Sequence, residues 1–160
     1  MEHRKVSNLL IGAGSLATLG GCFLFFVEGT VMAREYRDMY PELAHLFWPG
    51  LIYIWVIGLV YCCAMAEYFL ISARIGQDRS FCRENARDLK RIALLMILAG
   101  ALWALAAVLP AWIEGIQLGP AFLLFLLASL ASLALGLLAW GLSRLLRRAV
   151  EMKEENDLTV

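Results

Sequence analysis

Apolar residues run almost unbroken through four segments, residues 9–31, 49–73, 92–113 and 120–142, and polar residues gather in the gaps between them. Each segment reaches or exceeds the ~20 residues that a helix needs to cross about 30 Å of hydrocarbon at 1.5 Å per residue. Lipid offers a non-helical backbone no water to bond, so stretches of this kind predict helices. The fold class that follows is all-α. It is a polytopic membrane protein with one four-transmembrane-helix bundle over residues 1–160 and a charged tail at 144–160.

Within the apolar segments, small residues recur at every fourth position. Ala13, Ala17 and Gly21 mark the first, Gly100 and Ala104 the third, and Ala128, Ser132 and Gly136 the fourth. Such stripes let helix backbones approach closely and predict packing seams, within the chain by default and in a homo-oligomer as the alternative. The gap at residues 34–48 mixes acids with aromatics and predicts a short segment lying on the membrane surface. Trp48, Trp55 and Trp112 are the expected interfacial anchors. Glu28 and Glu114 close the outer ends of the first and third segments, a candidate acidic mouth. Residues 114–119 are short enough only for a tight turn, which makes the third and fourth helices antiparallel neighbours.

Composition agrees, with 61% hydrophobic residues and mean hydropathy +0.71, against about 45–50% apolar content in soluble domains. Net charge is zero, but position carries the information. Arg34 and Arg37 fall in the first gap and the third gap has no basic residue, so 12 of the 14 basic residues share one side. The positive-inside rule places that side, with both termini and the middle loop, in the cytoplasm. The first apolar core, residues 9–27, is longer than the roughly 7–15 residues of a signal-peptide core, so it is expected to stay as a span.

Little in the chain suggests catalysis. Gly12, Gly14 and Ala17 match the dinucleotide pattern GxGxxA on paper, but that fingerprint needs an aqueous strand-to-helix turn, and here it lies inside a span. The two histidines, His3 and His45, sit outside the spans, which removes haem, zinc and imidazole-activated nucleophiles from the bundle interior. No catalytic residue, metal site or cofactor is expected, and the protein is read as not an enzyme. Cys22 and the pair Cys62–Cys63 fall at similar depth, which admits a metal or redox pair, although apolar filling is the plainer role; Cys82 belongs to the middle loop. Glu67 is the one ionisable side chain well inside a span. An intramembrane carboxylate must be paired, protonated or wet. It is a proton- or ion-binding group, or it snorkels toward the inner surface or pairs with a basic residue such as Arg74.

Two charged elements remain. After a turn at Gly76-Gln77-Asp78, a helix is expected to start near Ser80 as N-cap and run into the third span. It carries Arg83, Arg87, Lys90 and Arg91 as one basic stripe, suited to anionic lipid or to an acidic partner, or serving only to orient the span. The tail carries Glu151, Glu154, Glu155 and Asp157 on a helix whose macrodipole opposes them, so its last turn is expected to fray. With Asn156 and Leu158 these residues form the second half of a candidate protein-binding face.

The closing string from Ala149 to Val160 resembles the ending of a bacterial membrane family grouped as domain of unknown function 2975. The loop with Gly76, Ser80-Phe81, Glu84-Asn85-Ala86 and Leu89 is similar too, while Val160 and Ser80 depart mildly from that family's commoner residues. The resemblance implies four spans and, because its members are often encoded beside a very short helix-turn-helix regulator, a regulator held at the membrane. No activity is carried over, and no direct nucleic-acid contact by this chain is implied. The expected function is a non-enzymatic membrane protein that holds a cytoplasmic partner. The alternatives are a small transporter using Glu67 and an accessory subunit of a larger membrane complex.

Overall fold

The computed structural model describes residues 2–77, 79–114 and 120–158. Helix α1 (Glu2–Cys22) passes through a π-helical turn, Phe23–Glu28, into α2 (Gly29–Met39), forming one continuous rod. A 3₁₀ turn at Pro41–Leu46 leads to α3 (Phe47–Ile75), followed by α4 (Arg83–Glu114) and α5 (Pro120–Leu158). Four helices, Arg4–Met39, Pro41–Ile75, Arg83–Pro110 and Ala121–Asn156, are long and apolar enough to cross a membrane. At 39 residues, α5 is about 58 Å long, roughly twice the hydrocarbon thickness, so its charged end extends beyond the bilayer.

The segment after the first span departs from expectation. Residues 34–39 continue the helix instead of lying separately, because nothing before Tyr40 breaks it; Tyr40 leaves helical geometry at φ −127°, and Pro41 opens the next turn. Trp48 and Trp112 are exposed near helix ends, as anchors would be. Trp55 instead turns inward onto Phe26, with ring centroids 6.5 Å apart. The tight turn expected at residues 114–119 falls on residues 115–119 and the Glu114 side chain, which lie outside those described.

The helices pack in chain order: the first rod against α3, α3 against α4, and α4 against α5. Among the described residues no Cα of α1 comes within 8 Å of one in α5. The interior is built of small side chains. Ala64, Ala86, Ala93, Ala99, Ala107 and Ala139 are buried, whereas most leucines face outward. Lipid tails are as apolar as leucine, so close backbone packing, not leucine burial, holds such helices together.

The α4–α5 seam shows this best. Ser129 Oγ donates to Gly100 O at 2.8 Å, and Ser143 Oγ donates to Ala86 O at 2.6 Å. Between them, Gly136 lies so close to Ala93 O and Ile97 that no Cβ would fit. Contacts therefore recur every seven residues on both helices, the 3.5-residue repeat of a left-handed crossing. This refines the expected stripes. Gly100, Ser132 and Gly136 are in the seam, but Ser129 replaces Ala128 as the fully buried residue. Ala13 and Ala17 are exposed and nothing stands within 4 Å of where a Gly21 side chain would be, so the expected seam on α1 is not used within the chain.

Helix α1 instead attaches through Ser7 Oγ donating to Ser72 O at 2.8 Å, and through Tyr68 OH donating to Leu10 O at 3.0 Å. At mid-depth the π-helical turn brings Phe25 against Gly58 and stacks it on Tyr61 at 5.4 Å. Tyr61 also bonds Ser132 at 2.5 Å and accepts from Trp103 Nε1 at 3.3 Å. One tyrosine hydroxyl thereby ties α3 to both α4 and α5.

Cys22 and Cys62 meet across α1 and α3 with sulfurs 3.7 Å apart, and both are free thiols. Among the described residues no group of three or more His, Cys, Asp or Glu side chains is placed to hold a metal ion. A disulfide needs about 2.05 Å between sulfurs, a small further approach. Mild oxidation with copper phenanthroline is expected to link Cys22 to Cys62, read by peptide mapping. A link from Cys22 to Cys63 in its place would mean that α3 is rotated relative to this packing.

Candidate functional site

The beginning of α1, the end of α3, the start of α4 and the end of α5 share one end of the bundle, which carries most of the charge. At its base, Arg74 from the last turn of α3 forms an ion pair with Asp88 of α4, whose side chain is 5% exposed. The same guanidinium donates to Asn85 Oδ1 at 3.1 Å. Asn85, itself buried, turns its amide back to donate to Arg79 O at 3.0 Å and Ser80 O at 2.9 Å. These bonds hold the connection between α3 and α4 against the helix it precedes. They also explain why α4 starts at Arg83 rather than at the expected Ser80 cap: the carbonyls of Arg79 and Ser80 are held outside the helix by the Asn85 side chain.

Glu67 does pair with a basic residue, but not with Arg74. Its Oε1 accepts from Arg91 at 3.1 Å, and Arg91 also lies 3.6 Å from Asp88. The other carboxylate oxygen, Oε2, is buried without a partner among the described residues. Arg91 therefore faces α3 and leaves the basic stripe. One residue of helix turns a side chain by about 100°, enough to separate it from Lys90.

The other expected residues gather between α4 and α5. Arg83 grips Glu154 with two nitrogens, at 3.0 and 2.5 Å, and Arg147 pairs with Glu151 at 3.0 Å one turn along α5. The guanidinium beside it holds the Glu154 carboxyl below its ordinary value through a side-chain hydrogen bond and charge attraction. The contact is therefore fully formed at neutral pH and is lost as the pH falls through that lowered value. With these contacts α5 stays helical to Leu158, where its macrodipole predicts fraying. Glu155 and Asn156 are exposed, while the side chains of Asp157 and Leu158 lie outside those described.

Arg83, Arg87 and Lys90 face Trp140, Arg144 and Arg147 across a groove of about 530 Å³. Asp88 and the α5 wall of this groove were not evident in the sequence. Asp88 is one of two acids, with Glu84, in the basic start of α4 and is not marked out by that pattern, and nothing local says that residues 140–147 lie opposite 83–90.

Residues 31–160 match the model of a family described as a protein of unknown function, DUF2975. The chain belongs to the DUF2975 family. An uncharacterized membrane protein of Bacillus subtilis (strain 168), YoaS, is 26% identical over 157 residues, covering 98% of this chain and 94% of its own length. No solved structure matches. This DUF2975 chain is thus a multi-pass membrane protein, and the match takes in α3, α4, α5 and their charged end.

Proposed function

We infer that this protein is a non-enzymatic binding protein of the bacterial cytoplasmic membrane, with both termini in the cytoplasm and its charged end holding a small protein partner. The observation that carries this reading is the two-pronged contact between Arg83 and Glu154, which joins the middle loop and the tail into one exposed face well beyond the apolar spans. Exposed ion pairs add little to stability, so this one acts more as an organiser of surface than as a support for the fold. A short helix-turn-helix regulator is the partner class that the family resemblance supplies. The transport reading draws on Glu67, and Arg91 offsets that charge in this packing.

Deleting residues 151–160 is expected to leave expression and detergent behaviour unchanged while abolishing retention of a co-expressed regulator in the membrane fraction. The charge reversal Glu154→Arg should reproduce the loss. Co-purification of the regulator at wild-type levels with both variants would reject the reading, as would a reporter fused after Val160 that reads out as periplasmic.

A further inference from the structure

The groove between α4 and α5 holds more positive charge than the tail neutralises. One wall carries Arg83, Arg87 and Lys90, and the other carries Arg144 and Arg147, with Trp140 at the end nearer the spans. Glu154 and Glu151 engage Arg83 and Arg147 at the outer end. Among the described residues, Arg87, Lys90 and Arg144 have no acidic partner, and Arg144 instead lies over the Trp140 ring at 5.6 Å. Cations sharing one concave surface repel each other, so an anion entering between them gains from all three.

Depth selects the anion. Lys90 stands two residues before the apolar stretch 92–113, and Arg144 two residues after the stretch 120–142. These cations are therefore at headgroup level, where an indole such as Trp140 also prefers to lie. The groove floor is the close approach of Ala86 and Ser143, which no bulky side chain fills. On the same helix faces toward the spans, Leu94, one turn along α4 from Lys90, and Leu137, one turn before Trp140 on α5, are both more than half exposed and present a surface for acyl chains. Basic pockets between transmembrane helices at this level are suited to lipid phosphates.

We propose that this groove is a binding site for the phosphate oxyanions of an anionic phospholipid headgroup, with Arg87, Lys90 and Arg144 as the ligating cations. Its outer end stays closed by the tail acids, so lipid and tail occupy adjacent parts of one charged surface. This site does not depend on the partner-binding reading and stands if that reading fails.

The test is native mass spectrometry of the full chain in mild detergent, titrated with phosphatidylglycerol, cardiolipin or phosphatidylcholine. Retention of the two anionic lipids over phosphatidylcholine is expected. At about 1 kcal/mol per cation, Arg144→Gln should weaken anionic-lipid binding about fivefold, and the triple change Arg87→Gln, Lys90→Gln and Arg144→Gln about a hundredfold. The single variant decides the matter if the triple one fails to fold. Arg34→Gln with Arg37→Gln, at the opposite end, should leave binding unchanged, and deletion of residues 151–160 should leave it at least as tight. Equal retention of phosphatidylcholine, or wild-type affinity in Arg144→Gln, would overturn the proposal. Displacement of the lipid by millimolar inorganic phosphate would overturn the lipid assignment in favour of a soluble oxyanion.

Discussion

Replacing Asp88 with alanine is expected to destabilise the protein by about 3 kcal/mol, because it leaves the Arg74 guanidinium half-enclosed without its counter-charge. Asp88 is almost wholly buried, pairs with Arg74 and stands 3.6 Å from Arg91. Asn85, which shares Arg74, loses the anchor that holds the connection between α3 and α4. The measurement is the thermal unfolding midpoint in detergent, expected to fall by about 10 °C for a chain of this size. The double variant Arg74→Met with Asp88→Leu should recover most of the loss, since a buried ion pair replaced by well-packed apolar groups is close to neutral. A midpoint unchanged in Asp88→Ala would show that the charge is already hydrated and that the pair does not organise this end.

Gly136→Leu should separate α4 from α5. Even a Cβ there would lie 2.8 Å from Ile97 Cγ1 and 3.1 Å from the Ala93 carbonyl oxygen, and the second of these is backbone that cannot rotate away. Overpacking of this kind costs about 1–3 kcal/mol on its own. Here it also stretches the bonds from Ser129 to Gly100 and from Ser143 to Ala86, one heptad to each side. The control is Gly141→Leu, five residues along the same helix, where nothing stands within 4 Å of the added carbon. Thermal midpoints of the two variants in one detergent should differ clearly, with Gly141→Leu close to wild type. Equal midpoints would mean that α4 and α5 do not meet along this register.

Much of the charged end was legible as chemistry but not as pairing. Glu67 stood out because a carboxylate inside a span needs a partner, and it has one. Its identity, Arg91 rather than Arg74, depends on how α4 is rotated against α3, and Arg74 is already taken by Asp88 and Asn85. Arg83 and Glu154 each stand out in a charged run, but 71 residues separate them, and nothing local reports that they touch. The small-residue stripes show the same boundary. Gly136 lies in a seam as its spacing predicts, whereas Ala13 and Ala17 have the same spacing and face outward.

Sequence alone determined the number of membrane crossings, their approximate ends and the crowding of basic residues toward one side. Those features depend on the length of each apolar run and on the distribution of charge, both local to the chain. Only the tertiary structure decided which face of each helix meets another, and hence which charges pair and which line the groove. In water the apolar face of a helix would have announced its partner. In lipid both the outward and the inward faces are apolar, and the choice passes to backbone proximity and a few hydrogen bonds between distant residues.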